Sequence, residues 1–486
     1  MKKVLLCALA LWIGNVSYAD DITLSYKGTS VKVRQNVTDS VTVTVEGAGV
    51  SIESLYKSRQ LTIRLKGKSS DGRLLLKTAG KAKVTLDDLT LTSQEGAPLE
   101  LKNKKKVEVV AAKGTVNTLA VTACSDTVNH KAAVIWAKDK LLLSGKGILN
   151  IVATGDGCRG IKTKKDVTIE DLTLNVTTSG DNLGEKPFGF GGFPDFGNDS
   201  TMRAGFPNFG GFPPMPNDST MRAGFSNFGG FPMSNDSIQG DFGGFGGFAG
   251  KHKYVASTKG IASKGKITIN SGSVTIRTST AGAEGIEGKE GIVFNGGTVD
   301  VQSPDDAINA NATIEFNGAS VVAVSTGNDA VDSNPKGGFF MPFGGNNSHD
   351  ADPAIIIRGG TVYAWSQVGS PEEGLDCDFS PLVVEGGTIF SVGGGMGEMP
   401  SVPTNETAKQ PTVLLIGIDI VKDEPVTVSD SNGKLLHTFT VPFSLRRSAS
   451  LLSSANPAFK IGGTYTVKTK GYEKTFTLSD HFTTVR

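Results

Sequence analysis

Long apolar runs are scarce in this sequence, and the clearest one stands at its start. Two lysines precede an apolar run from Val4 to Ile13, and Ser17-Tyr18-Ala19 has the small-x-small pattern of a cleavage site. A run of about ten residues is too short to span a bilayer, so residues 1–19 are predicted to be a signal peptide. No later stretch is apolar enough for a membrane helix. We therefore expect an exported protein that is periplasmic, held at the cell surface or secreted, without membrane insertion.

Cysteine and histidine are also rare, with 4 Cys and 5 His among 486 residues. Cys124, Cys158 and Cys377 lie beyond the predicted signal peptide, and an odd number excludes a fully paired framework. A bridge between Cys124 and Cys158 is possible in an oxidising compartment, but the sequence leaves it open. The cysteines lack the spacing of metal ligands, which argues against a zinc site.

The sequence has no large excess of charge of either sign. Lys and Arg number 49 and Asp and Glu 48, a balance that argues against nucleic acid as a partner. The distribution is uneven, however: residues 98–166 carry a net charge of +7 and residues 281–378 a net charge of −12. The chain is therefore electrically polar along its length.

A repeat of about 23 residues dominates the middle of the chain. Apolar residues at Ile261, Ile286, Ile308 and Val331 are separated by 25, 22 and 23 residues, and each is followed by short alternating strands and a glycine corner. Two earlier members and one later member extend the series: Ile135, Ile161 and Leu375. Strands of about four residues cannot bury a core alone, but stacked turns can. Hairpins of an antiparallel sandwich would repeat at shorter intervals.

The repeat predicts an all-β fold, a right-handed single-stranded parallel β-helix with β-rich capping segments at both ends. Two columns of inward residues should align, namely Val274, Val299, Val321, Val362 and Ile389, and beside them Ile276, Val301, Ala323 and Ala364. The predicted organisation is an N-terminal β cap at 20–65, the β-helix domain at 66–407 and a C-terminal β segment at 408–486. Within the β-helix domain, residues 183–250 are predicted to be a disordered Phe/Gly-rich insertion and residues 335–353 a loop insertion.

Carboxylates recur in register with the coil. The later coils carry acids at three positions relative to the apolar residue: three before it, two before it and directly after it. These acids are Glu284, Glu287, Asp305, Asp306, Asp329, Asp332, Glu372, Glu373 and Asp376. Rungs of a parallel sheet are about 4.8 Å apart, where two carboxylates repel by roughly 3–4 kcal/mol at an effective dielectric of 20. Oxygen ligands without His or Cys favour Ca²⁺ between them. The alternative is a solvated acidic face that keeps the protein soluble.

Lysines and aromatic residues form two further sets of candidate sugar ligands. A basic strip three residues after the apolar position includes Lys164, Lys264 and Lys289, which could pair with uronates or sulfates; an edge kept soluble by lysine is the alternative. Outward positions on late coils hold Tyr363, Trp365 and Phe390, whose faces could stack on pyranose rings. Cover by residues 335–353 or by the C-terminal segment would explain these aromatic residues equally well.

Two runs of this sequence resemble the coils of a bacterial carbohydrate-binding family. They are Ser303-Pro304-Asp305-Asp306-Ala307-Ile308-Asn309-Ala310-Asn311 and Thr326-Gly327-Asn328-Asp329-Ala330-Val331-Asp332-Ser333-Asn334. Members of that family are secreted parallel β-helices, similar in shape to pectate lyases, that bind Ca²⁺ and acidic sugars. The resemblance implies calcium ligands at Asp305, Asp306, Asp329, Asp332, Glu373 and Asp376. The sequence departs from the family pattern at Ala307 and Ala330, where glycine is usual, and at Arg159 and Lys259, where acids are typical.

We predict non-catalytic, calcium-assisted binding of a polysaccharide, acidic and polyuronate-like, by a monomer without a nucleic-acid partner. The alternatives are a calcium-dependent polysaccharide lyase and a cell-surface adhesin or matrix protein. β-Elimination needs an Arg or Lys base facing the calcium. The acid-rich coils offer Lys289 and Arg358, and Arg358 lies at a glycine corner on another side of the coil.

Overall fold

The computed structural model describes residues 21–124, 132–185, 254–335, 354–377, 380–394 and 401–486. The predicted signal peptide, nearly all of the Phe/Gly-rich insertion and the loop insertion lie outside these residues. Regular structure within the described residues consists of β-strands, and no helix among them is long and apolar enough to cross a membrane. The all-β prediction is confirmed for this part of the chain.

Forty strands follow one another in the described residues. The N-terminal strands are β1 Ile22–Lys27, β2 Ser30–Gln35, β3 Val41–Glu46 and β4 Gly49–Ser54. The next twelve are β5 Leu61–Ser69, β6 Arg73–Thr78, β7 Ala82–Ser93, β8 Leu99–Asn103, β9 Val107–Ala111, β10 Val116–Val121, β11 Ala133–Ala137, β12 Leu141–Gly145, β13 Ile148–Ala153, β14 Arg159–Thr163, β15 Val167–Glu170 and β16 Leu172–Thr178. Two short antiparallel strands flank the Phe/Gly-rich insertion, β17 Leu183–Glu185 and β18 Tyr254–Ala256.

The repeat continues after the insertion and ends before the C-terminal segment. Its strands are β19 Lys259–Ser263, β20 Ile267–Ile269, β21 Gly272–Thr278, β22 Glu284–Gly288, β23 Ile292–Phe294, β24 Thr298–Ser303, β25 Ile308–Ala310, β26 Ile314–Phe316, β27 Ser320–Ser325, β28 Val331–Ser333, β29 Ile355–Ile357, β30 Thr361–Ser366, β31 Leu375–Asp376, β32 Leu382–Val384 and β33 Thr388–Gly393. The C-terminal strands are β34 Thr412–Ile420, β35 Pro425–Asp430, β36 Leu435–Thr440, β37 Leu445–Ser454, β38 Thr464–Thr469, β39 Tyr472–Thr477 and β40 Phe482–Val485.

Most strands belong to three parallel stacks, in which each strand pairs with its counterpart in the next repeat. The first, here called the site stack, runs β6–β8–β11–β14–β19–β22–β25–β28–β31. The second runs β9–β12–β15–β20–β23–β26–β29–β32. The third runs β10–β13–β16–β21–β24–β27–β30–β33.

The core lies along the inward ladders of these stacks. In the third stack Val274, Val299, Val321, Val362 and Ile389 pair in sequence and are almost completely buried, as the repeat predicts. The apolar residues that define the repeat pair in the same way in the site stack, from Ile135 to Leu375. Such ladders bury short β-branched strands that none could bury alone.

The corners between stacks use glycine and asparagine. Gly360 has φ of 82°, and a Cβ there would lie 2.1 Å from the Ala319 carbonyl oxygen, so only glycine fits. At the neighbouring corners Asn317 donates to Asn295 at 2.8 Å and Asn295 donates to Asn270 at 2.9 Å. This amide ladder fixes the corner spacing.

Both ends of the stacks are covered by antiparallel strands. At the N-terminus the hairpins β1–β2 and β3–β4 add to the sheets, and β1 and β4 already pair in parallel with β5 and β6. Parallel pairing therefore begins before the predicted boundary at residue 66. At the C-terminus β37 pairs antiparallel with β33 and β34, while β35, β36, β38 and β39 form a separate four-stranded sheet. Covering an open strand edge in this way prevents edge-to-edge association.

Candidate functional site

Two ladders of mostly polar residues run along the outer side of the site stack. The residue after each apolar position forms the first ladder, which consists of Trp136, Lys162, Ala262, Glu287, Asn309, Asp332 and Asp376. The residue two before it forms the second, which consists of Arg159, Lys259, Glu284, Asp306, Asp329 and Glu373. Contacts between the ladders, described below, show that both face the same side.

Small residues between the two ladders allow this arrangement. The position just before the apolar residue holds Gly160, Gly260, Gly285, Ala307, Ala330 and Gly374. A Cβ added to Gly260 would lie 2.4 Å from Cγ2 of Ile276, and one added to Gly285 would lie 2.3 Å from Cγ1 of Val301. These positions face the core, so the charged residue before each of them turns outward. Alanine is accommodated at Ala307 and Ala330, where it is buried.

The middle of the ladders is an ion network. Lys259 Nζ lies 2.9 Å from Glu284 Oε2 and 2.9 Å from Glu287 Oε1, and the three side chains are 9%, 14% and 13% exposed. Lys289 reaches the same Glu287 oxygen at 2.5 Å. Burial disfavours the charged form of Lys259, but the two carboxylates outweigh this and raise its pKa. Burial also opposes ionisation of Glu287, but Lys259 and Lys289 outweigh it and lower the pKa of Glu287 to about 2.

The last three repeats bring carboxylates together in what we call the acid cluster: Asp306, Asp329, Asp332, Glu373 and Asp376. Asp306 and Asp332 are 1% and 2% exposed, and Asp329 and Glu373 are also buried. Asn309 Nδ2 bridges two of them, since it donates to Asp306 Oδ2 at 2.6 Å and to Asp332 Oδ2 at 2.9 Å. The register of the stack therefore brings Asp306 and Asp332 to the same asparagine.

Electrostatic repulsion within the acid cluster affects the pKa of Asp329. Burial raises the pKa of Asp329 well above its ordinary value, and the negative charges of Asp376, Asp306 and Asp332 raise it further. A hydrogen bond from the Glu373 backbone N–H to Asp329 opposes this shift. Ionising Asp329 beside these carboxylates is therefore unfavourable without added positive charge.

Amide and hydroxyl donors hold the acid cluster in place. Asn334 Nδ2 donates to Asp332 Oδ1 at 2.5 Å. Ser401 donates from its backbone N–H to Glu373 Oε2 at 2.8 Å and from Oγ to Asp376 Oδ1 at 3.3 Å. Asn309 belongs to the repeat and could have been selected from it. Ser401 lies beyond the repeat, so no periodic pattern indicates its role.

The remaining predicted metal ligands lie beside these groups. Asp305 is partly buried and accepts a hydrogen bond from Asn328 Nδ2 at 2.8 Å. Glu372 is partly buried next to Glu373. Glu284 and Glu287 belong to the lysine network rather than to the acid cluster. Among the described residues, no group of three or more His, Cys, Asp or Glu side chains is already arranged around a common metal position.

The predicted lysine strip follows the site stack at its edge. Lys164, Lys264 and Lys289 are exposed and occupy equivalent positions, since Lys264 N donates to Thr163 O and Lys289 N donates to Ser263 O. Lys162, two residues before Lys164 on the first ladder, is instead only 8% exposed. The strip and the two ladders are therefore adjacent along the same strands.

The three aromatic candidates pack against the C-terminal segment. Phe390 is 1% exposed and stacks on Phe439 with ring centroids 4.1 Å apart. Trp365 is buried in the same cluster, and the half-buried ring of Tyr363 contacts the edge of Phe439. The expectation that these faces lie open to a sugar is thus corrected: the alternative, cover by the C-terminal segment, describes their packing.

Two of the three described cysteines form a disulfide near the basic end of the ladders. Cys124 and Cys158 form a disulfide with a Cα–Cα distance of 5.9 Å, and Cys377 is buried. The pairing that the sequence left open is therefore present, and it fixes the backbone next to Arg159.

Comparison with known proteins gives two matches. A family model described as "Carbohydrate-binding domain-containing protein" matches residues 38–186 and 235–330, just over half of the chain. A solved structure of the polysaccharide lyase-like protein from C. thermocellum, a gadolinium derivative, is 17% identical with a TM-score of 0.39, and the match covers 62% of this chain and 90% of that chain. No curated protein matches the chain.

Proposed function

This chain belongs to the family of carbohydrate-binding domain-containing proteins, and from that premise we propose that it binds an acidic polysaccharide through calcium held by the acid cluster. The observation that carries the proposal is the burial of several carboxylates in one cluster, where their mutual repulsion raises the pKa of Asp329. A buried set of like charges is stable only if a cation or protons neutralise it.

The chemistry of the side chains in the acid cluster suits a calcium ion. Every side-chain donor of the acid cluster is an oxygen, as hard cations require, and the mixture of Asp and Glu on successive coils suits the variable geometry of Ca²⁺ better than the strict octahedron of Mg²⁺. The residues that would hold the ion are Asp306, Asp329, Asp332, Glu373 and Asp376, with Asp305 beside them. Asn309 and Ser401 would orient these ligands from behind.

Bound calcium would supply the positive charge to which a uronate carboxylate coordinates. The chain's own contribution is to hold the ligands in register on a rigid parallel stack, which we interpret as part of a single-stranded parallel β-helix. The exposed Lys164, Lys264 and Lys289 add positive charge along the same edge and would attract an acidic glycan.

We propose binding without bond cleavage. The cations near the acid-rich coils are already engaged: Lys289 contacts Glu287 at 2.5 Å and Asn311 at 3.0 Å, and Arg358 contacts Glu315 at 2.6 Å. Such pairing supports a structural role for both rather than that of a base. Incubation with polygalacturonate while the absorbance of unsaturated products is followed tests this point, and product formation with calcium would establish a lyase instead.

The test of calcium-dependent binding compares matched carboxylate variants. Affinity for polygalacturonate and the melting temperature are measured in Ca²⁺ and in EDTA for the wild type, for Asp332→Asn and for Asp39→Asn, an exposed control. We expect EDTA to lower both quantities in the wild type and in the control, and Asp332→Asn to abolish most of the calcium response. Equal values in Ca²⁺ and EDTA for the wild type would refute the metal proposal.

The proposal also covers the compartment and the assembly state of the protein. We propose an exported protein, because the pattern at residues 1–19 is that of a signal peptide and a disulfide joins Cys124 to Cys158. We propose separately that it is a monomer. N-terminal sequencing of the protein from its host would show whether the chain begins near Asp20.

A further inference from the structure

The basic end of the ladders and the adjoining lysine strip hold three positive side chains that we call the cationic cluster: Arg159, Lys162 and Lys264. Arg159 is on β14 in the second ladder, and Lys162 is three residues later in the first. Lys264 lies on the next coil, and its charge acts on Lys162 together with that of Arg159. Like charges gathered on adjacent rungs need an opposite charge, as the acids do at the other end.

Neighbouring carboxylates do not supply that charge by contact. Glu284 and Glu287 are the acids whose charges reach Arg159, but among the described residues both make their ion pairs with Lys259 and Lys289. Among the described residues, Arg159, Lys162 and Lys264 therefore make no ion pair with a carboxylate.

Burial of Arg159 and Lys162 makes their lack of a carboxylate partner among the described residues unusual. Arg159 is 8% exposed, and its Nε and Nη1 are buried without a hydrogen-bond partner in the described part of the chain, while Nη2 donates to Ser257 Oγ at 3.1 Å. Lys162 is 8% exposed and makes no ion pair among the described residues. Burial, followed by the charges of Arg159 and Lys264, lowers the pKa of Lys162 to about 7. Unfilled buried donors are unfavourable, so a ligand that accepts from them binds better than one held by solvated groups.

We propose that Arg159, Lys162 and Lys264 form an oxyanion subsite that binds a carboxylate or sulfate group of the glycan directly, without a metal ion. This inference rests on the proposed function and extends it to a second point of attachment. Arg159 supplies planar donors that suit both oxyanions. The cationic and acid clusters thus bind acidic groups by different chemistry, one with fixed side-chain cations and the other through calcium.

The spacing of the two clusters predicts how long the glycan must be. From β14 to β28 the site stack has four steps, through β19, β22 and β25. At roughly 4.8 Å per rung this is about 19 Å along the stack. An acidic oligosaccharide long enough to cover that length contacts both clusters and gains affinity from each, whereas a shorter one contacts one cluster at a time.

The first experiment tests the anion subsite alone. Trace acetylation of the intact protein at pH 7, read by peptide mass spectrometry, measures the reactivity of Lys162 and of the exposed control Lys113. We expect sodium sulfate, against sodium chloride of equal ionic strength, to slow modification of Lys162 several-fold and to leave Lys113 unchanged. Arg159→Gln should remove most of this protection. Equal rates in the two salts would overturn the subsite.

The second experiment tests its use for the glycan. Lys162→Gln is expected to weaken binding of a long oligogalacturonate about tenfold in the presence of Ca²⁺, and Lys113→Gln to leave it unchanged. A sulfated oligosaccharide of equal length distinguishes sulfate from carboxylate as the preferred group. If both variants bind oligogalacturonate and the sulfated oligosaccharide as the wild type does, the glycan role is refuted while calcium-dependent binding stands. If the wild type binds neither oligosaccharide yet sulfate protects Lys162, the proposed function fails and the anion subsite stands.

Discussion

Replacement of Lys259 by methionine is the most direct perturbation of the ladders. The Lys259 ammonium lies 2.9 Å from each of two carboxylates, and the three side chains are 9–14% exposed. At that distance each pair is worth about 6 kcal/mol of attraction at an effective dielectric of 20, most of which offsets the desolvation of the ions. Removal of the ammonium abolishes the attraction but leaves Glu284 and Glu287 buried.

The net loss of folding free energy should therefore be about 3–5 kcal/mol, the range for breaking a buried ion pair by removing one partner. Urea unfolding of Lys259→Met at pH 7 measures it, in EDTA so that no divalent ion can take the ammonium's place. Lys113→Met, an exposed lysine on another corner, serves as the control and should change stability by less than about 0.5 kcal/mol.

A compensated variant separates lost charge balance from lost packing. Adding Glu284→Gln and Glu287→Gln to Lys259→Met removes the stranded charges, so most of the lost stability should return. If Lys259→Met costs less than about 1 kcal/mol, or the triple variant is no more stable than the single one, the ion network does not stabilise the fold as argued.

Three further predictions concern other parts of the chain. Since the pKa of Lys162 is lowered to about 7 from 10.5, the unfolded state binds more protons between those values, so stability should rise with pH by up to about 5 kcal/mol. Lys162→Met should remove that rise in pH-dependent urea unfolding. Loss of the disulfide in a Cys124→Ser, Cys158→Ser variant should lower the unfolding free energy by about 3–4 kcal/mol for a separation of 34 residues, with dithiothreitol-treated wild type as the comparison. Phe390→Ala should cost about 3–5 kcal/mol in the same assay and leave glycan affinity unchanged, because its ring packs under Phe439; weaker binding by a folded Phe390→Ala would restore it as a sugar contact.

The ladders could be predicted from the sequence because the repeat that defines them is longer than the period of a helix or a hairpin. The apolar residues from Ile261 to Val331 recur at an interval that local helix or hairpin geometry cannot produce, so the sequence predicts the alignment of the repeats. Once the coils are aligned, the stacking of Asp306, Asp329 and Glu373 follows from backbone register alone. The acid cluster could thus be located before any coordinates were known.

Contacts that depend on side-chain reach or on segments outside the repeat could not be predicted in this way. Lys259 differs from the family pattern, but only the structure shows its ammonium between two carboxylates. Ser401 reaches the acid cluster from a segment with no periodicity. The cover over Phe390 is supplied by C-terminal strands, and their sequence does not specify which face they contact.

The charges stacked in the two halves of the ladders are neutralised in different ways. Stacked side chains of like charge must be neutralised at every rung, and a residue cation can do this only where the coil supplies one. At β19 and β22 Lys259 and Lys289 neutralise Glu284 and Glu287, so these two carboxylates need no cation from solution. At β25, β28 and β31 the ladder positions are acids and an asparagine, so neutralisation has to come from protons or from a bound cation. Dependence on calcium should therefore be confined to these last coils, and glycan binding should respond to calcium only through them.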